Sequence, residues 1–372
     1  MPLALTCGGC DVGKPEPLRA PGPDVHVVGM FPRDGCGTGL LEACTVPTNA
    51  TITIRFDRFL DPATVNRQAI SVYTGERGLG SPTYEVVYDP VERVAEFRLG
   101  GNRPYEPNKL YQYELVVPKE PGDYGIRAFD GAPLAEADIP LRGSFVISDE
   151  PEVVQPPPPA PSCDLIVSDV FRKLGRCAGS ECHRRGNNQT LDTMADLGDA
   201  PHQLYLDSPA TFTLSAYDRV ARQTDLGDFS GGNPQDRSDA VVYVDQNGSR
   251  TVVSPGVRFG VRMALVAPSS PGASYLLYKL LIGRDNYQDC STPTESELCS
   301  LPGPCETAHP SLPLPKGECL EPPEDELTRL REWFVRGAPM PRADSSGQRG
   351  NVRLQGLRAL AQFIAAGATC ED

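Results

Sequence analysis

Short runs of alternating apolar and polar residues dominate the first 150 residues of the chain. In TITIRFD, Ile52, Ile54 and Phe56 fall on one side of an extended segment, and LYQYELVV alternates in the same way. A period of two is the pattern of a half-buried β-strand. Short strands between turn residues are typical of an all-β sandwich. We therefore predict strands at residues 26–31, 51–57, 70–73, 84–88, 95–99, 110–117 and 144–147.

Beyond residue 162 the apolar spacing changes to that of amphipathic helices. The segment DLIVSDVFRKLGRC carries an apolar stripe, with Asp164 as a candidate helix cap. The segments ASYLLYKLLIG, DELTRLREWFVRGA and LQGLRALAQFIAAGA repeat the pattern. Each helix would bury one face in a shared core, which predicts a mainly helical second half. The sequence VVYVDQNGSRTVV predicts a β-hairpin that turns at Asn247 and Gly248.

A run of four prolines, Pro156 to Pro159, separates the two halves. Such a run favours an extended, semi-rigid spacer. Within the first half, DPATV predicts one helical turn capped by Asp61 and opened by Pro62. We divide the chain into an N-terminal segment (1–23), a β domain (24–150), a proline-rich linker (151–162) and a helical domain (163–372) with insertions at 221–250 and 284–324.

Charge and cysteine content restrict the function. The chain has 49 acidic and 35 basic residues, which argues against a nucleic-acid partner because phosphate binding needs a basic surface. Twelve cysteines, several of them in proline-rich loops, are typical of disulfides in an oxidising compartment, so we expect an exported protein. The sequence contains no G-x-S-x-G, H-E-x-x-H or phosphate-loop motif, and we predict no enzyme activity.

The first residues, MPLALTCGGCD, look like the end of a lipoprotein signal. A short apolar run precedes small residues and Cys10, but the run is far shorter than the apolar core of a complete export signal. We expect the true start to lie upstream and Cys10 to carry a lipid. The alternative is that Cys7 and Cys10 pair with each other or stay free. No other apolar run is long enough to span a bilayer, so we expect membrane attachment through this terminus only.

The first half resembles the bacterial Ig-like domain of surface-layer and other secreted proteins. The likeness rests on PRDG, then NATITIRF, then DPATV, and it covers about residues 24–148. It implies a sandwich that acts as a spacer or adhesion module and carries no catalytic residues. The chain departs from the family by the insertion from Cys36 to Cys44, a loop that we expect a disulfide to close.

The second half resembles the c-type cytochrome-like domains of secreted multidomain bacterial proteins. The segments CAGSECHRRG and LVAPSSPGASYLLYKLLIG and two helices ending in Gly-Ala follow in the family's order. The likeness implies that Cys177 and Cys182 bond a haem covalently and that His183 is the proximal iron ligand. Their spacing is two residues longer than the usual C-x-x-C-H. The competing interpretation is a disulfide between Cys177 and Cys182, with His183 on the surface.

The likeness also implies a ligand on the other side of the iron. Family members carry a Met-Pro pair before the closing helix, and Met340 with Pro341 matches it. We predict Met340 as the distal ligand, whose thioether would raise the reduction potential. The alternatives are His202 or His309 in a bis-His site, or a vacant position, which would suit a peroxidase-like enzyme.

The remaining cysteines are disulfide candidates. We expect Cys163 to pair with Cys370 and to join the ends of the second domain. A zinc site formed by His309 with three cysteines, Cys299, Cys305 and Cys319, is a rival use of the second insertion. That loop contains no C-x-x-C pair, and the oxidising context disfavours zinc. The sequence leaves the pairing of four loop cysteines open: Cys290, Cys299, Cys305 and Cys319.

Two functions follow from these expectations. The first is an exported, lipid-anchored c-type haem protein that exchanges single electrons with other envelope redox proteins, with the Ig-like domain as a spacer. The alternative is a haemless, disulfide-stapled structural or adhesion protein that contacts other surface components. Both hypotheses locate the chain in the cell envelope, as a periplasmic or cell-surface lipoprotein.

Overall fold

The first half of the protein is built from antiparallel strands. A computed structural model describes residues 21–38, 45–76, 81–101, 103–120, 123–136, 141–149, 160–174, 204–206, 208–217, 219, 221, 241–244, 250–253, 263–282, 325–333 and 354–370. The strands of its first half are β1 (Val27–Phe31), β2 (Ile52–Phe56), β3 (Ile70–Tyr73), β4 (Tyr84–Asp89), β5 (Val94–Leu99), β6 (Leu110–Leu115) and β7 (Arg142–Val146).

These strands form two sheets around one core. The larger sheet has the order β1-β2-β5-β4 and the smaller one the order β3-β6-β7, with antiparallel neighbours throughout. Apolar side chains of both sheets pack together, among them Ile54 and Phe97 of the larger sheet and Val72 and Phe145 of the smaller one. The β-rich first half predicted from the alternation is therefore confirmed. The predicted turn after β2 is present, because Asp61 Oδ1 accepts a hydrogen bond from Ala63 N at 3.0 Å.

The second half contains short helices. They are α1 (Cys163–Leu165), which continues as a π-helix (Ile166–Leu174), α2 (Pro209–Ala216), α3 (Tyr275–Leu281), α4 (Glu326–Trp333) and α5 (Leu354–Ala365). Strands β8 (Val241–Val244) and β9 (Arg250–Val253) pair as the predicted hairpin, with Val244 opposite Arg250. The expected turn residues Asn247 and Gly248 lie outside the described residues. None of the described helices is both long and apolar enough to cross a membrane.

Local hydrogen bonds explain where two of these helices begin. The cap of α1 is Ser162, whose Oγ accepts from Leu165 N at 3.3 Å, while the predicted cap Asp164 lies inside the first turn. Helix α2 was not predicted, because PATFTLSA has no apolar stripe. It begins with a capping box in which Ser208 Oγ accepts from Thr211 N at 3.3 Å and Ser208 N donates to Thr211 Oγ1 at 3.1 Å.

The helices of the second half share one core. The ring centroids of Phe171 and Phe212 lie 5.2 Å apart, and Phe363 of α5 lies 6.5 Å from Phe212. Leu281 of α3 and Leu360 of α5 are buried in the same cluster. This packing confirms the predicted shared core, but α3 is buried on all sides rather than on one face. It does not identify a cytochrome-like fold, and that likeness stays a prediction.

The two halves are packed against each other. Three side chains of the β half, Phe59, Val91 and Phe129, belong to the core of the helical half. Phe59 contacts Tyr278 of α3 edge to face, with ring centroids 6.5 Å apart. The proline-rich linker suggested a spacer between separate halves and gave no indication of this direct contact.

Candidate functional site

The residues predicted to hold a haem cannot be placed in this fold. Cys177, Cys182, His183 and Met340 all lie outside the described residues, and so does the lipidation candidate Cys10. The alternative histidine ligands and the loop cysteines of the second insertion also lie outside them. Within the described residues, no group of three or more His, Cys, Asp or Glu side chains is arranged to hold a metal ion.

The structure contains the predicted disulfide between Cys163 and Cys370. Their Cα atoms lie 5.1 Å apart, and the bond joins positions separated by 207 residues. The hydroxyl of Tyr217 lies 3.1 Å from Cys370 Sγ, which ties the segment after α2 to the same place. Cys36 also takes part in a disulfide, and its expected partner Cys44 lies outside the described residues.

The best-defined polar site lies between the two halves and is centred on Arg58. This arginine follows β2 and is fully buried. Its Nε donates to Glu326 Oε2 at 2.9 Å, its Nη2 donates to Asp130 Oδ2 at 2.8 Å, and its Nη1 donates to the carbonyl oxygen of Pro23. Glu326 opens α4, and its Oε1 accepts from Phe59 N at 2.9 Å. One carboxylate of the helical half thus binds both a side chain and the backbone of the β half.

Further contacts hold Asp130 in position. Its Oδ2 accepts from Gly22 N at 2.8 Å, and its Oδ1 accepts from Ala132 N at 3.3 Å. Arg329 of α4 lies 3.6 Å from Asp130 Oδ2 and forms a surface pair with Asp325 at 2.9 Å. The carboxylate therefore accepts hydrogen bonds from its own half while it faces two arginines, Arg58 and Arg329.

Burial and ion pairing have opposite effects on the pKa values of Glu326 and Arg58. Burial raises the pKa of Glu326, although Arg58 acts in the opposite direction. Burial also lowers the pKa of Arg58, but the hydrogen bonds and charges of Asp130 and Glu326 outweigh this, so its pKa is raised. Arginine stays charged in either case. A buried cation without a partner is strongly unfavourable, so Arg58 needs its carboxylates while the two halves are in contact.

A second ionic contact joins the halves at Glu92, in the turn between β4 and β5. Its Oε1 accepts from Arg358 Nε of α5, and its Oε2 lies 3.5 Å from Arg55 Nη2 of β2. Burial lowers the pKa of Arg55, and Glu92 opposes that shift. The alternation predicted a half-buried strand here, but the polar face of β2 is buried as well, with Arg55 beside this ionic contact.

A close apolar contact completes the interface. A Cβ atom at Gly272 would lie 2.6 Å from Tyr88 Cδ1, so the backbone of the helical half approaches β4 at a distance that only glycine allows. Tyr278 OH donates to the Gly272 carbonyl oxygen at 2.9 Å, and Leu60 N donates to Tyr88 OH at 2.9 Å. Each of the two tyrosine hydroxyls thus has a hydrogen-bond partner in its own half of the protein.

This interface was not predicted from the sequence. One signal was present, since Arg58 stands between Phe56 and Phe59 in the apolar segment FDRFL, where a charge needs a partner. The partner of Arg58 could not be identified from the sequence, because Glu326 lies 268 residues away. An acidic residue at the start of a helix is common and does not indicate a distant partner. The contacts of Glu326 with Arg58 and Phe59 join the surfaces of the two halves.

Comparison with known proteins adds little to this picture. No protein-family model matches the chain, and no curated protein matches it. A structure of surface layer protein SbsC, domains 1–6, is 12% identical, with a TM-score of 0.23, and the match covers 37% of this chain and 14% of that one. The N-terminal part of the bacterial S-layer protein SbsC matches at 12% identity and the same TM-score of 0.23, over 37% of this chain and 25% of that one. The chain spans a quarter or less of these structures, and a likeness at this level establishes no family.

Proposed function

We propose that this chain is an exported structural protein of the cell surface, in which the helical half is fixed on the β half. The observation that carries the proposal is the interface, where Phe59 and Val91 enter the helical core and Arg58 pairs with Glu326. Domains within one chain usually move relative to each other unless their contact is large and apolar. A contact that joins a shared core to a buried ion pair favours a rigid body, which suits a spacer or adhesion role.

The disulfide between Cys163 and Cys370 supports the proposed compartment. Structural disulfides persist in oxidising surroundings and are rare in the reducing cytosol. A lipid on Cys10 would attach the protein to a membrane, and its partners would be other components of the surface. The resemblance of the first half to bacterial Ig-like domains agrees with this role.

Labelling of intact cells tests the location. A membrane-impermeant biotin reagent should modify the protein on intact cells of the source organism, and external protease should remove it. The mass of the isolated protein should show oxidised cysteines, a lipid on Cys10 and no haem. Protein that is protected until the cells are lysed, and that carries reduced Cys163 and Cys370, would contradict the proposal.

The electron-transfer hypothesis is a second candidate, favoured by one sequence observation. The motif CAGSECH begins three residues after the helix that ends at Leu174. A haem c held by Cys177, Cys182 and His183, with Met340 opposite, would supply a one-electron redox centre. The same mass measurement decides between the candidates, in a host that matures c-type cytochromes. A covalent haem that disappears in the Cys177→Ser/Cys182→Ser variant would support electron transfer and overturn the purely structural role.

A further inference from the structure

Two carboxylates of the β half stand beside the side chains that enter the helical core. Asp61 is two residues from Phe59, and Asp89 is two residues from Val91. We propose that the protonation of Asp61 and Asp89 controls the docking of the two halves, so that mild acid tightens the contact and mild alkali loosens it. This inference rests on the docking contact alone and does not depend on the proposed cell-surface role.

Asp89 organises the turn that reaches into the helical half. Its Oδ1 accepts from Val91 N at 2.8 Å, which closes a local turn between β4 and β5. Val91 enters the helical core. Tyr88, which directly precedes Asp89, packs against Gly272. The docked helical half therefore covers the segment that carries the Asp89 carboxylate.

The charges around Asp89 disfavour its ionised form. Glu92 and Glu96 of the β half both repel it, and their repulsion adds to the effect of burial. Arg55 also lies near Asp89, but its Nη2 is placed 3.5 Å from Oε2 of Glu92. Arg93 directs its Nε to the carbonyl oxygen of Phe56 at 3.3 Å.

The helical half contributes little positive charge to Asp89. Arg358 of α5 is bound to Glu92, and Tyr278 of α3 presents a hydroxyl that donates to the Gly272 carbonyl. Burial raises the pKa of Tyr278, and the charges of Asp61 and Asp89 add to that shift, so the phenol is neutral over the physiological range. Docking therefore shields the partly buried Asp89 from water without supplying it with a dedicated cation.

Asp61 is in a similar position. Its Oδ1 accepts from Ala63 N at 3.0 Å, and its own N–H donates to the carbonyl oxygen of Arg127 at 2.9 Å. The Arg127 guanidinium does not neutralise Asp61, since it donates to the carbonyl oxygens of Gly131, at 3.1 Å, and Glu120. The group facing Asp61 from the helical half is again the neutral Tyr278.

The direction of the pH effect follows from these surroundings. Burial raises the pKa of Asp89 to about 7 and that of Asp61 to about 6, above the value near 4 of a solvated aspartate. The docked state therefore binds protons more tightly than an undocked state with solvated carboxyls. Docking is strongest at low pH and weakens as the pH rises from about 4 to about 7. Burial also raises the pKa of Glu326, which acts in the same direction.

Hydrogen exchange of the whole chain tests the inference. Protection factors, which correct for the intrinsic exchange rate at each pH, would be measured at pH 5.5 and pH 8.5 for α3, for the turn at 89–92 and for strand β6. We expect roughly tenfold or greater protection of α3 and the turn at pH 5.5 than at pH 8.5. Strand β6 belongs to the other core and should change less than twofold.

Matched variants identify the groups responsible. The Asp61→Asn/Asp89→Asn variant keeps an Oδ1 acceptor at each position but cannot titrate there, so most of the pH dependence of protection should disappear, and the remainder would come from Glu326. Asp34→Asn is the control, because exposed Asp34 also accepts a backbone hydrogen bond, from Ser144 N at 2.8 Å, and should leave the wild-type response intact. If the double variant loses the protection of β6 as well, each single variant is used, and each should lose part of the response. A wild-type response that is flat or reversed would overturn the inference, and so would a response that keeps its full size in the double variant.

Discussion

The core of the β half and the interface between the halves are stabilised by different chemistry. Inside the sandwich, the rings of Tyr105, Tyr111 and Phe145 pack within 4.9 to 5.9 Å of one another, and Tyr84 OH lies 2.8 Å from Tyr105 OH. The interface instead buries ionised groups, with Arg58 between two carboxylates.

This difference has consequences for stability. Burial raises the pKa of Tyr84 and Tyr105 far above neutrality, so the sandwich core contains neutral hydroxyls at every physiological pH. The interface depends on carboxylates whose charge and pairing can be changed. A buried ion pair is strongly destabilised when one partner is lost. We infer that the sandwich supplies stability and that the interface supplies a defined orientation.

Removal of the Glu326 carboxylate should break the interface most severely. Glu326→Ala leaves Arg58 with Asp130 as its one carboxylate partner at this site and removes the acceptor of Phe59 N. Loss of one partner of a buried pair costs about 3–5 kcal/mol. Denaturant unfolding followed by hydrogen exchange should show that the helical half opens first, while β6 stays protected.

The neighbouring residue provides the control for this variant. Asp325 pairs with Arg329 on the surface, and its side chain is 56% exposed. Asp325→Ala should change the free energy of unfolding by about 1 kcal/mol or less, because exposed pairs contribute little. Equal effects of the two substitutions would show that the Arg58 pair does not hold the halves together.

Loss of the disulfide should have the second-largest effect, a lower thermal stability of the helical half. The Cys163→Ser/Cys370→Ser variant frees chain ends that are 207 positions apart, and removal of a native disulfide costs about 2–5 kcal/mol. Thermal unfolding should move to lower temperature for the helical half, with the sandwich changed less. An equal shift of both transitions would indicate that the halves unfold as one unit.

A wedge at the closest backbone contact should have a smaller effect. Gly272→Ala places a methyl group against Tyr88, and overpacking of this kind costs about 1–3 kcal/mol. Gly100→Ala is the matched control, because its Cβ would meet Thr83 O at 3.4 Å, an ordinary contact. Hydrogen exchange of α3 should increase in the first variant only; similar exchange in both would mean that the contact adjusts freely.

A substitution in the sandwich core should have the smallest effect and no pH dependence. Tyr84→Phe removes the partner of the Tyr105 hydroxyl, which costs about 1 kcal/mol for a buried hydrogen bond. The loss should be the same at pH 5.5 and pH 8.5, measured by denaturant unfolding. A loss that depended on pH would contradict the distinction between the two regions.

Local pattern was sufficient for most elements. Every predicted strand of the first half lies within a few residues of an observed one, because alternation reports directly which face is buried. Helix α2 was missed, since its eight residues carry no apolar stripe and its start depends on the capping box of Ser208. Alternation predicts that β2 is half-buried, yet Thr53 and Arg55 on its polar side are also buried.

The sequence by itself determined the strands, most of the helices and the disulfide candidates, because these depend on local periodicity and on residue type. Only the tertiary structure decided that Arg58 meets Glu326 and that Gly272 lies against Tyr88. Both contacts join residues far apart in the chain, and the identity of a distant partner leaves no local trace. The surroundings that raise the pKa of Asp61 and Asp89 likewise come from the fold, so the proposed response to pH depends on tertiary structure rather than on composition.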